Sequence, residues 1–307
     1  MGNFDRDLPP ASTKLNSDPM PSANRFPPFT LNCNGRMLTA EKPLIMGILN
    51  ATPDSFHADS RVASGRAAVD KAGEMLAQGA TFLDVGGMSS RPGASIITSA
   101  EEIDRVVPVI EAITAAFPES FVSCDTVYAA TARAAVDAGA AMINDISAGK
   151  LDPDLFDVLP ELKVPYVLMH MPGTPADMQK FMNSYGDDVV VAVWDFLAEK
   201  LGELRAAGVV DILVDPGWGF GKSVEQNYRL LHDLNAFGTL GVPVLVGISR
   251  KSSIWRPLGI TAAESLSATS ALHLFALRRG ASVLRVHDVK EAVQVVHLHK
   301  LLTAAES

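Results

Sequence analysis

The sequence predicts an α/β fold, a TIM-type (β/α)8 barrel with an N-terminal β-hairpin, and three observations carry the prediction. Eight short apolar runs recur along the chain: LIMGILN, TFLDVGG, FVSCD, AAMIND, PYVLMH, DILVD, PVLVGISRK and SVLRVH. Each run ends on polar or charged residues, and a helix-forming stretch follows every one. Strands that alternate with helices build a parallel sheet, and eight such units close into a barrel. Active sites of these barrels lie at the C-terminal strand ends. The polar run ends are therefore where chemistry is expected.

Taken in order, residues 1–28 are rich in Pro, Ser and Asn and are expected to form a flexible extension ahead of a barrel domain over 29–307. FTLNCNGRMLTAEK alternates around Asn34-Gly35, a two-residue hairpin signal, and is expected to cover one end of the barrel. Helices are expected over Ser64–Gln78, Ala100–Ala116, Val127–Asp137, Pro153–Leu159, Ser184–Ala207, Ser223–Asn235, Thr261–Arg279 and Asp288–Thr303. Ser64, Asp152 and Ser223 are placed to open helices, and Gly79, Gly139, Gly208 and Gly280 to close them in the left-handed conformation.

Composition narrows the function. The chain is 48% hydrophobic and 20% charged, enough to bury a full core. A formal net charge of −9 argues against nucleic acid and anionic membranes as partners. Only Cys33 and Cys124 are present, so neither a disulfide framework nor a thiolate metal site is expected. No apolar run reaches the roughly 18 residues of a membrane span, and no secretory signal core is visible. Cytoplasmic residence fits these features.

The run ends carry candidate chemistry. Asn50 offers a carbonyl oxygen to a hard cation such as Mg2+, although Asn-Ala-Thr-Pro-Asp is equally a turn sequence. The second loop combines three glycines with Ser89, Ser90 and Arg91, suited to an anion or to an ordinary surface loop. Asp125, Asn144 and Asp215 end buried strands; together they match the amide and amino edge of a guanine-like ring, while singly each is a possible helix cap. Asp215-Pro-Gly-Trp-Gly-Phe-Gly-Lys222 fits neither a P-loop nor a dinucleotide fingerprint, and is read as a mobile glycine loop bringing Trp218 and Phe220 to a planar ligand. Lys251, Arg285 and His287 end the seventh and eighth runs, where these barrels often bind phosphate; a solvated basic rim is the alternative. His170 is expected to fill the core.

These segments, GILNATPDSF, DVGGMSSRPGA, Asp125-Thr, INDISAG, VLMHMPGTP, LVDPGWGFGK, GISRKS and LRVHDV, resemble the dihydropteroate synthase family in order and in placement on successive strand ends. The resemblance implies a homodimeric barrel that joins 6-hydroxymethyl-7,8-dihydropterin diphosphate to p-aminobenzoate and releases diphosphate. It implies that Asn50 binds Mg2+ held with the diphosphate, and that Asp125, Asn144 and Asp215 hold the pterin beside Lys251. Arg91, Arg285 and His287 would face the diphosphate or support the mobile loops around it, and Ser90, Phe220 and Ser252 would line the p-aminobenzoate pocket, where sulfonamides compete. Lys251, Arg285 and His287 are the candidate catalytic residues. The chain departs from the family pattern at Met88, where Glu is usual, and at Ser90, where Thr is usual; His57-Ala-Asp59-Ser also differs, and Asp59 receives no role. A pterin-binding methyltransferase domain acting on methyltetrahydrofolate is the nearest rival, but it has no use for a diphosphate site. A silent binder and a structural scaffold are further alternatives.

Overall fold

The computed structural model describes residues 26–51, 61–89, 93–94, 96–182, 184–186 and 188–306. Most of the expected N-terminal extension, together with His57, Asp59, Ser90 and Arg91, lies outside them.

Strands β1 (Phe29–Cys33) and β2 (Arg36–Ala40) pair antiparallel around Asn34-Gly35. Both turn residues take positive φ, 53° and 80°, as a type I′ turn demands. The barrel follows as β3 (Leu44–Asn50), α1 (Arg61–Gln78), β4 (Phe82–Gly86), α2 (Ser99–Ala116), β5 (Phe121–Asp125), α3 (Ala129–Asp137), β6 (Met142–Asp145), α4 (Asp154–Leu162), β7 (Tyr166–Met169), α5 (Val189–Ala207), β8 (Ile212–Asp215), α6 (Val224–His232), β9 (Leu245–Val246), α7 (Ser252–Leu258), α8 (Leu266–Arg278), β10 (Val283–Val286) and α9 (Val289–Ala305). The eight parallel strands run β8-β7-β6-β5-β4-β3-β10-β9. A parallel bridge between Val214 and Val244 joins the two end strands, with Val214 N donating to Pro243 O at 3.0 Å.

The structure departs from the expected boundaries for local reasons. The seventh run yields only two strand residues; beyond them the chain turns, with Lys251 N donating to Ile248 O at 3.2 Å and Arg250 at φ of 54°, and the unexpected α7 begins at Ser252. Helix α5 starts at Val189, not Ser184: the Asp188 carboxylate caps Val190 N at 2.8 Å, while Ser184 Oγ donates back to Phe181 O. Ser223 opens α6 through a reciprocal capping box with Gln226. Asp152 accepts from Ala129 N at 2.8 Å, so it ties down the start of α3 as well as its own loop. The four closing glycines all adopt φ near 100° (Gly79 106°, Gly139 104°, Gly208 97°, Gly280 96°).

Alternation along the strands sorts side chains into two sets. Leu83, Val85, Val122, Cys124, Ile143, Leu168, Val214 and Leu284 face outward and pack with the helices. Met46, Phe82, Met142, Val167, Leu213, Leu245 and Val283 form a second, inner cluster with Leu31, Cys33 and Ala40 of the hairpin. These inner residues sit at or near the strand starts, so the hairpin closes the N-terminal mouth. Polar ties hold it there. Asn32 N donates to Asp211 Oδ2 at 2.9 Å, and Arg36 donates to Pro118 O and Ser120 O with its guanidinium 4.4 Å from the Phe121 ring. Leu31→Ala is expected to cost about 2–5 kcal/mol of stability, read from urea denaturation midpoints. Turnover by the folded fraction should not change, because the polar strand ends lie at the opposite mouth.

Candidate active site

Above the apolar floor the barrel interior becomes ionic, and it does so within single strands. Two residues beyond Phe82 comes Asp84; beyond Met142, Asn144; beyond Leu213, Asp215; beyond Val283, Arg285 and then His287. The period of two keeps all of them on the inner face. Asp145, next to Asn144, points the other way and is satisfied by Ser147 N, Gly149 N and the Tyr166 hydroxyl. Register then levels the strand ends: Asn50 lies opposite Gly86, Gly86 opposite Asp125, and Asp125 opposite Asn144.

Arg285 is the centre of the cluster. Its Nε donates to Asp84 Oδ2 and its terminal nitrogen to Asp125 Oδ2, each at 2.6 Å. Asn144 Nδ2 donates to the same Asp84 oxygen at 3.0 Å. Asp84 is fully buried, and its Oδ1 has no partner among the described residues. Its part in the site was not anticipated from the sequence. The available signal was an acid and a base, Asp84 and Arg285, each embedded in an otherwise apolar run.

Electrostatics follow from burial. Burial pushes the Asp125 carboxyl up to about 7, with Arg285 opposing the shift and Asp84 reinforcing it. Asp215 is also raised by burial, against the pull of Lys251, of the Gly217 N–H at 2.7 Å, and of Lys222. Burial lowers Lys251 to about 7, with Asp215 working the other way. Asp84, Asp125 and Asp215 thus stand against Arg285, Lys251 and Lys222, and a bound group of either sign would move these balances.

The loop after β8 is not the mobile element expected from its glycines. Side chains hold its backbone at successive residues: Gly217 N by Asp215, Trp218 O by Lys251, Gly219 N by Asn227 at 2.7 Å, Phe220 O by Lys222 and Gly221 O by Tyr185. Trp218 is turned into the core and meets Tyr228 edge-on rather than facing a ligand. Phe220 packs with Val127, Ile146, Met169, Met171 and Met178, and its ring centroid lies 4.3 Å from Lys251 Nζ. His170 is buried, as core filling requires.

On the other side of the mouth, two loops are stitched together. Ser249 Oγ lies 3.2 Å from His287 N, which donates to it, and 3.0 Å from His287 Nδ1. Arg250 forms a two-point ion pair with Asp288 at 2.8 and 2.6 Å. Burial, helped by Arg285, holds His287 down to about 4. At neutral pH it would meet an anion as a hydrogen-bond donor, not as a charge. Arg285 likewise has its charge engaged by two carboxylates, which leaves Lys251 as the cation of this trio without an ion pair at contact distance among the described residues. Ser252 is half-buried at the start of α7, and Asn50 is exposed at the end of β3. Among the described residues no group of three or more His, Cys, Asp or Glu side chains is placed to hold a metal. Asn50 alone supplies one hard oxygen, which suits only a cation that arrives with its own oxygen ligands.

An acid-rich barrel mouth, lined with an amide and basic side chains, defines a class, the pterin-binding barrel enzymes. The family model described as "Pterin binding enzyme" matches residues 46–287. The dihydropteroate synthase of Haemophilus influenzae is 41% identical over 261 residues, covering 84% of this chain and 94% of that protein. Solved structures agree. The dihydropteroate synthase of Xanthomonas albilineans with 4-aminobenzoic acid superposes with a TM-score of 0.82 at 42% identity, over 90% of this chain and 98% of that one. The same enzyme in complex with 7,8-dihydropteroate gives 0.79 at 39% identity, over 90% and 99%. This chain belongs to the dihydropteroate synthase family.

Proposed function

We propose that this chain condenses 6-hydroxymethyl-7,8-dihydropterin diphosphate with p-aminobenzoate to give 7,8-dihydropteroate and diphosphate. The observation that carries the reading is the buried cluster in which Arg285 joins Asp84 to Asp125, with Asn144 bonded to the same Asp84 oxygen. Asp125, Asn144 and Asp215 offer acceptors and a donor to the amino and amide edge of the pterin. The bond from the pterin methylene to diphosphate breaks, and its electron pair leaves with the diphosphate. Lys251 supplies positive charge at that side, and His287 supplies a hydrogen bond. The Asp125 and Asp215 carboxylates favour the positive charge left on the pterin. The arylamine nitrogen then forms the new bond and loses a proton to solvent. A neutral arylamine is nucleophilic enough to need no strong base. Ser90, Phe220 and Ser252 would border the arylamine and Arg91 would face the diphosphate, as the family resemblance implies. Asn50 would hold Mg2+ arriving with the diphosphate, and such an ion would supply Lewis-acid stabilisation of the leaving group. A coupled assay of diphosphate release tests the reading: release must require both substrates, and release independent of p-aminobenzoate contradicts it.

The balance of buried charges predicts a pH profile. Asp125 offers the pterin a charged acceptor only as a carboxylate, a form lost as pH falls through about 7. The Lys251 ammonium is lost as pH rises through about 7. Rate per unit of pterin diphosphate, kcat/KM, should therefore peak near neutrality and fall on both sides. Lys251→Arg keeps its charge at all these pH values and should abolish the alkaline fall.

A homodimer belongs to the same proposal. Phe275 on α8 and Leu298, Leu301 and Leu302 on α9 are exposed apolar residues, which a second copy would cover. Equilibrium sedimentation at micromolar concentration reads the mass directly. Cytoplasmic residence is proposed with it: both cysteines are free and buried, as a reducing compartment allows. No helix among the described residues is long and apolar enough to cross a membrane.

A further inference from the structure

Lys222 and His170 take no part in the reaction as proposed, yet both are buried at the end of the barrel where it occurs. Lys222 Nζ lies 2.8 Å from Gly217 O, 3.0 Å from Phe220 O and 3.0 Å from His170 Nδ1, with His170 O farther off at 3.4 Å. An ammonium has three protons, and three close neutral acceptors surround it. Burial holds the amine well below the ordinary lysine range, with Asp215 opposing, so placing it here is costly.

The contacts identify what the cost secures. Gly217 is held at both ends, its N–H by Asp215 Oδ1 at 2.7 Å and its carbonyl by Lys222. Phe220 is held through its own carbonyl by the same ammonium. The loop presses so closely on the end of β7 that a Cβ on Gly217 would stand 1.9 Å from His170 O. His170 is itself fixed between rings, 4.9 Å from Phe196 edge-on and 5.7 Å from Tyr185, whose hydroxyl donates to Gly221 O. Burial and the neighbouring Lys222 keep the imidazole neutral, so Nδ1 is free to accept from the ammonium.

We propose that Lys222 and His170 are positioning residues that clamp the loop after β8, aiming the Asp215 carboxylate at the pterin and setting Phe220 against the arylamine pocket. The proposal rests on the reading of Asp215 and Phe220 as substrate contacts. A side chain that touches neither substrate would then govern affinity for both.

Lys222→Met, His170→Ala and His170→Asn, made in the full chain, test it by two readouts: KM and kcat for each substrate, and amide hydrogen exchange over residues 217–221. Losing a hydrogen bond to a charged group costs on the order of 10- to 100-fold. Lys222→Met and His170→Ala should therefore raise KM for both substrates at least about 10-fold, with a smaller change in kcat, and should speed loop exchange by a similar factor. In His170→Asn the amide oxygen takes the place of Nδ1, so both readouts should return to within about 3-fold of wild type. Unchanged KM values in folded Lys222→Met, or equal damage in His170→Asn and His170→Ala, overturn the clamp. If Lys222→Met does not fold, the His170 pair decides. A wild-type chain that makes no product refutes the functional reading instead, and loop exchange in the variants still tests the clamp.

Discussion

Arg285→Ala should lower turnover by at least about 100-fold, the loss typical when one group that stabilises transition-state charge is removed. The reason differs from that of a free anion ligand. In this barrel the guanidinium holds Asp84 and Asp125 at 2.6 Å each, and Asp84 in turn fixes Asn144. Removing it leaves two carboxylates facing each other in a buried site, so the pterin acceptors lose both geometry and ionisation. Breaking a buried ion pair by deleting one partner commonly costs about 3–5 kcal/mol, and urea denaturation of the variant should show a loss of that size. Adding Asp84→Asn to Arg285→Ala should recover part of the stability but not the turnover, because one uncompensated charge is gone while Asp125 still lacks its partner. A double variant as active as wild type would remove Arg285 from the chemistry altogether.

Asp215→Ala should abolish measurable pterin capture. Two hydrogen bonds from ring N–H groups to one carboxylate, each contributing about 1.5–3 kcal/mol when charged, correspond to a loss on the order of 100-fold or more in affinity. Isothermal titration with a pterin lacking the diphosphate isolates this contribution from anion binding. The same change also frees Gly217 N, which loses its 2.7 Å acceptor. Asp215→Asn separates the two effects, since the amide oxygen still accepts from Gly217 N while the charge is lost. Normal turnover in either variant contradicts the pterin assignment.

The sequence by itself was enough for the barrel. Its eight runs, the Asn34-Gly35 turn and the four closing glycines are local signals, governed by φ, ψ and side-chain period. Its spacing of two put Arg285 and His287 on one face, but which apolar residues face inward, and with them Asp84, Asn144, Asp215 and Arg285, was decided by the closed barrel. What it left open was anything decided by contact between strands. Arg285 meets Asp84 across 201 residues of chain and Asp125 across 160, and no local pattern states which buried acid a buried base will choose. The glycine loop shows the same limit in reverse. Glycines at 217, 219 and 221 read as freedom, but their positive φ and missing side chains let the backbone fold close against His170 O, Lys251 and Pro172, where lysine, tyrosine and asparagine side chains fix it. Local preference is set by neighbours in sequence, whereas charge pairing and rigidity are set by neighbours in space, and only closing the barrel brought those together.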